Sequence, residues 1–201
     1  MLTQLTTLKS RLALDPLDPT HDALLTSGII AVSARFDRET NRTLARTENA
    51  TFEFPAGDAE ILVPCYPIES VSKFDLKSSE TEGWLEQPDV ECLIRRGCII
   101  ALPSVLKNLQ PAPFNLQRSL ARVTYTGGYL LPGSAPVSGV VPLPADLEQA
   151  AIEQVAFWFQ TRDMLGIIRQ WPKGGNYVQL ADLDLLPSVR PVLEHYTRIV
   201  F

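Results

Sequence analysis

The chain has 201 residues, 45% hydrophobic, 20% charged and 8% aromatic, a balance that excludes a disordered tail, a collagen-like rod and a disulfide-stapled mini-protein. A net charge of −5, with 13 arginines against 5 lysines, argues against tight, salt-sensitive nucleic-acid binding and for forked contacts to carboxylates, including contacts across protein interfaces. Cys65, Cys92 and Cys98 are odd in number and lack CxxC spacing, so they read as thiols of a reducing compartment, not as a zinc site or a disulfide framework.

In chain order, Leu2, Leu5, Leu8 and Leu12 recur at spacings of three and four and predict a short amphipathic helix. Lys9 and Arg11 lie within this segment and it has no apolar h-region, so no targeting leader is expected. Apolar runs reach only about five residues, far short of the ~18–20 that cross a bilayer, and no membrane role is expected. Asp15-Pro16 and Asp18-Pro19 stop the first helix and start a second, predicted from Pro19 to about Thr43 on the pattern Leu25, Ile29, Val32, Phe36. Gly28 in its middle costs roughly 1 kcal/mol of helix propensity, which close packing against another backbone would explain.

Between residues 50 and 126 the period becomes two. Phe52 and Phe54, Ile61 and Val63, then Val90, Cys92 and Ile94, the run Cys98–Leu102, and Ala121, Val123 and Tyr125 mark strand faces. Pro55–Asp58 and Arg95-Arg96-Gly97 read as turns, 103–119 as an irregular loop, and Gly127-Gly128 opens a linker that runs to about residue 143. Helical periodicity returns from Pro144 to about Met164. Leu147, Ala151, Val155 and Trp158 form one stripe, while Ile152, Phe157 and Phe159 make the helix apolar nearly all round, which calls for cover by a neighbouring subunit. Lys173–Asn176 is a Gly-rich excursion. A last helix is predicted from about Pro187, with Pro191 inside it at the cost of one backbone bond or a kink.

These elements predict an α+β fold: two N-terminal and two C-terminal helices with an inserted antiparallel β-meander or small sandwich. Residues 1–48 and 144–201 would form the helical part of one domain, 49–130 the β part and 131–143 a linker.

No G-x-S-x-G, P-loop or G-x-G-x-x-G is present, and His21 and His195 are the only histidines, so neither a hydrolase triad nor nucleotide chemistry has local support. The group Asp15, Asp18, His21, Asp22 admits a metal reading, but Asp-Pro turn and cap chemistry accounts for it better; Asp182 and Asp184 likewise suit a helix start. No catalytic residue, cofactor or metal is assigned. Arg35, Arg38, Arg42 and Arg46 share one face if the second helix persists, as an interface, a phosphate contact or a solvated face.

The run Leu143-Pro144-Ala145-Asp146-Leu147 with Ala151–Arg162, preceded by Val123-Thr124-Tyr125-Thr126-Gly127-Gly128-Tyr129, resembles the introducing strand, turn and helix of tailed-bacteriophage head–tail connector (adaptor) proteins. Leu183–Val189 with Leu193 and Tyr196 fits the closing helix of that family, and Leu62-Val63-Pro64 with Pro67–Val71 its first strand pair. The long section 76–119 and the loop at Gly139–Pro142 depart from compact members. The resemblance implies a non-enzymatic virion protein in the neck, made in the host bacterial cytoplasm. It implies a ring, twelve-fold in the virion, docked under a portal protein and bearing a tail or neck protein below, with DNA passing through without specific binding. Subunit contacts are then expected at Ile152, Phe157, Phe159 and Arg162, and portal or neighbour contacts at Arg35, Arg38, Arg42, Arg46, Tyr196, Arg198 and Phe201. Another ring-forming neck or tail-completion protein is the alternative, and an unrecognised hydrolase a more distant one.

Overall fold

The structure is a computed structural model that describes residues 1–102, 119–162 and 185–199. Most of the loop expected over 103–119, the Gly-rich excursion at 173–176, Asp182, Asp184 and Phe201 lie outside the described residues. The fold is α+β, and the chain divides into two compact units: Met1–Thr40 with Leu143–Thr197, and Asn41–Pro142 with Arg198–Phe201.

The first unit is helical, with α1 (Leu5–Arg11), α2 (Asp22–Thr40), α3 (Ala145–Gln160) and α4 (Arg190–Tyr196). Its core takes Leu8 from α1, Leu25, Ile29, Val32 and Phe36 from α2, Leu147, Ala151 and Val155 from α3, and Leu193 from α4. That is the 3.6-residue stripe of each helix turned inward. A Cβ on Gly28 would lie 3.2 Å from Val155 Cγ1, so the glycine does mark a close approach, made by a side chain of α3. Gln154 is fully buried on α3, and its Oε1 accepts the Leu186 backbone N–H at 2.9 Å, fixing the chain as it enters α4.

Two helix ends differ from expectation. The predicted run of α2 to Thr43 stops at Thr40, because Asn41 takes the left-handed conformation (φ 51°) that asparagine tolerates and Thr40 Oγ1 turns back onto the Phe36 carbonyl at 2.7 Å. α4 begins at Arg190, so Pro191 falls in the first turn, where a missing N–H costs nothing; the predicted loss of a bond is not incurred.

The second unit holds two antiparallel sheets. β1 (Thr47–Pro55), β7 (Leu120–Gly127), β3 (Ile68–Lys77) and β4 (Leu85–Glu86) form one in the order β1-β7-β3-β4. β2 (Glu60–Leu62), β6 (Ile99–Ala101) and β5 (Leu93–Arg95) form the other in the order β2-β6-β5. Both feed one apolar core that includes Phe54, Ile61, Val63, Phe74, Ile100, Val123 and Tyr125, so of the two expected arrangements the sandwich describes it better than a meander. Alternation along β7 is as predicted, with Ala121, Val123 and Tyr125 buried and Arg122, Thr124 and Thr126 half-buried. Val90 and Cys92 lie outside the strand that follows them, and Leu93–Arg95 is exposed throughout. Pro55–Asp58 and Arg95–Cys98 are turns closed by the Asp58 and Cys98 N–H groups on the Pro55 and Arg95 carbonyls, Arg96 and Gly97 both having positive φ.

Candidate functional site

The N-terminal acidic cluster is turn chemistry. The Asp15 carboxylate accepts the Leu17 N–H at 2.9 Å, and the Asp18 carboxylate accepts the Thr20 hydroxyl and, at 3.0 Å, the Thr20 N–H; the two bonds from Thr20, the hydroxyl's first, hold the Asp18 carboxyl below its ordinary pKa. The organising cation is a side chain. Lys9, 2% exposed, donates through Nζ to the carbonyls of Pro16 (3.0 Å) and Asp18 (2.7 Å) and pairs with Asp22 at 2.6 Å. Sequence reasoning missed this clamp, for a lone lysine on an amphipathic helix ordinarily reaches solvent. Among the described residues no group of three or more His, Cys, Asp or Glu is placed to hold a metal ion. His21 and His195 pack edge-on against Phe159 and Tyr196, with ring centroids 5.1 and 5.2 Å apart.

Along α3 the expected contact residues separate. Ile152 is 6% exposed, buried within the chain itself and so not on display to a neighbour as the expectation had it. The need for a neighbour inferred from an all-round apolar helix is met in part by α1, α2 and α4. Phe157 is 40% exposed and borders a recess shared with Arg11, Ala156 and Leu186. On the other flank, a groove of about 500 Å³ between α2 and α3 has Leu24, Gly28, Ala31, Val155 and Trp158 in its walls. Arg35, Arg38, Phe159 and Arg162 also line it. Arg35 pairs with Glu39 at 2.6 Å; Arg162 stacks on Phe159 with Cζ 4.3 Å from the ring centroid and donates to the Phe159 carbonyl at 2.8 Å.

The arginine stripe does not continue past α2, because the helix stops before its third member. Arg42, 3% exposed, is built into the β unit: its guanidinium lies 3.5 Å from the Tyr66 ring centroid and 5.3 Å from that of Tyr129, and it donates to the Tyr66 carbonyl. Arg46 donates to Glu69 (2.7 and 2.9 Å) and to Glu48, and these hydrogen bonds raise its pKa above the ordinary arginine value. Neither side chain is presented for an outside partner in the way a continuous helix face would present it.

At the C-terminal end, the Tyr196 hydroxyl donates to the Asp146 carboxylate at 2.9 Å. Arg198 lies in the β unit with Cζ 5.4 Å over the Phe52 ring, and burial pulls its pKa down. Ile199 is 62% exposed at a separate groove of the β unit, which Phe52, Phe54, Ile61 and Ile99 also line.

No family model matches the sequence, and no curated protein matches it. Solved structures do. The fold is similar to a chain in the neck of an empty GTA particle computed with C6 symmetry, at 13% identity and a TM-score of 0.59, covering 100% of this chain and 91% of that one. It is also similar to a chain in the neck of a native GTA particle computed with C12 symmetry, at 14% identity and a TM-score of 0.51, covering 98% and 90%. At these identities the two chains have the α+β fold in common with this protein.

Proposed function

We propose that this protein is a structural component of the neck of a tailed-phage-like particle, a head–tail connector that assembles as a ring under a portal, prolongs the DNA channel and carries the tail. The observation that supports this most is the span of the fold likeness. It runs through both units and leaves little of either chain unmatched, and the similar chains belong to necks of GTA particles, GTA denoting a phage-like gene transfer agent. The role is structural, not catalytic. An acidic chain of net charge −5 suits a channel through which DNA slides without sticking.

The test is direct: mix the purified protein with its portal and examine the product by negative-stain microscopy. A stoichiometric complex with an added ring under the portal is the expected result; no complex, or a ring that binds only tail components, would replace this reading with the tail-completion one. The apolar chain end from Tyr196 to Phe201 is proposed to contribute to docking.

Phe157 supplies a second expectation. At 40% exposure on α3 it is proposed to lie against a neighbour in the ring. Phe157→Asp should leave the melting temperature of the isolated protein within about 2 °C, since an exposed position tolerates charge, while greatly reducing ring formation on the portal. Calorimetry and light scattering read the two effects. A large drop in melting temperature would make Phe157 part of the protein's own core, and normal rings would remove it from the interface.

A further inference from the structure

Two surface features of the helical unit complement each other in shape and charge. The first is the knuckle between α1 and α2, where Leu17 is 90% exposed between Asp15-Pro16 and Asp18-Pro19. An apolar side chain that far into water is ordinarily on a loose tip, and this one is not. Lys9 Nζ holds the carbonyls of Pro16 and Asp18, on either side of Leu17, and the Asp15 carboxylate holds the Leu17 N–H itself. Two prolines fix the flanking φ angles. The loop is thus ordered in a form that projects Leu17 outward with a carboxylate on each side, and little entropy remains to be lost on docking.

The second feature is the α2–α3 groove, apolar at Leu24, Val155 and Trp158 and edged by the guanidinium groups of Arg35, Arg38 and Arg162. Arg38 and Arg162, beside Arg35 with its Glu39 partner, put positive charge next to an apolar trough, which fits an apolar side chain flanked by carboxylates. Leu17 cannot be serving the groove of its own chain while 90% exposed.

We propose that the Asp15–Asp18 knuckle of one copy seats Leu17 in the α2–α3 groove of the next copy, with Asp15 and Asp18 facing the arginine edge. The contact joins different surfaces of identical chains. It is therefore head-to-tail and propagates from copy to copy, closing when the rotation divides a full turn. This inference rests on the ring reading above and names the surfaces that make the ring.

The experiment follows the association of the full chain by sedimentation velocity and mass photometry up to millimolar concentration. Leu17→Asp breaks the knuckle and Leu24→Asp the groove; Leu24 is 51% exposed, so neither change touches the core. Arg38→Glu serves as a second groove variant should Leu24→Asp fail to fold. Each variant alone should lose at least about tenfold in self-association. Mixed together, the knuckle and groove variants should form a 1:1 dimer and nothing larger, because one intact knuckle then meets one intact groove.

A wild-type chain that stays monomeric throughout would overturn the proposal, as would Leu17→Asp chains that assemble like wild type. Leu24→Asp lowering the melting temperature while Leu17→Asp assembles normally would also overturn it, and would make the groove part of the protein's own fold. None of these results removes the ring reading, which fails separately if wild-type protein gives no ring on the portal.

Discussion

Gly128→Ala should cost about 4 kcal/mol or more of stability and leave little folded protein at 37 °C. Gly128 has φ +101°, outside the range that side-chain-bearing residues favour, and a Cβ there would stand 2.5 Å from the Ala45 oxygen and 2.8 Å from Arg46 Cα. The chain has no room to yield. The Gly128 N–H donates to the Pro67 carbonyl, the Tyr129 N–H to Leu44 and the Arg46 N–H to Tyr129, so backbone is bonded on both sides of the glycine. Gly139→Ala supplies the control. It has φ +82° with nothing within 4 Å of the built Cβ, so it carries the conformational strain alone and should cost about 1–3 kcal/mol. Denaturant unfolding of both variants measures the difference, which is the part due to the close approach. Equal losses would mean the strand exit can shift, contrary to the bonding described.

Asp75→Asn should cost about 3 kcal/mol at pH 7. The Asp75 side chain is 1% exposed on β3, with Arg122 Nη2 2.8 Å from Oδ2 and Lys73 Nζ 2.9 Å from Oδ1. Asp75 and Arg122 are direct cross-strand partners, and the Arg122 guanidinium lies 4.4 Å from the Trp84 ring centroid. The expected loss stays at the low end for a broken buried pair because Arg122 and Lys73 remain 25% and 40% exposed and can be rehydrated. Burial raises the Asp75 pKa, but the hydrogen bonds from Arg122 and Lys73 outweigh it and the net direction is down. A carboxyl lower in the folded than in the unfolded state stabilises fully above its unfolded value near 3.9 and stops doing so as pH falls through the folded value. The gap in melting temperature between wild type and Asp75→Asn should therefore persist at pH 7 and close below about pH 4. A gap independent of pH would assign the loss to packing.

The helices were legible because each buries a stripe at a spacing that solvent and core enforce. Where α2 stops was not, since the stop depends on one asparagine entering the left-handed region, and the periodicity of Arg35, Arg38, Arg42 and Arg46 runs straight through it. Strand β7 could be read because its alternation is unbroken. Strand β3, ten residues long, was visible only at its start, for its register slips between Ile68 and Ser70 and again between Val71 and Lys73, which breaks the period of two. The role of Arg42 depends on Tyr66 and Tyr129, which only the tertiary fold brings to it. The α2–α3 groove is a property of two helices together. Gly28 hinted at their approach, while the gap beside Trp158 follows from side chains on both and has no signature along either.

The division of the chain also sets an order of events. Within residues 1–40, α1 and α2 pack on each other, but their other helical partners lie in 143–197, whereas 41–142 are continuous along the chain. At about 5–20 residues per second, α2 waits roughly 5–20 s on the ribosome for α3 to be made. Closing so long a loop is also the slower step in refolding. Pulsed hydrogen exchange during refolding should protect the amides of β1, β3 and β7 before those of α2 and α3; the reverse order would mean that α2 finds its partner without help from the sheet. Throughout the wait, the stripe of Leu25, Ile29, Val32 and Phe36 is an uncovered apolar face on a nascent chain. A cell making many copies at once must keep those faces apart until α3 has been made.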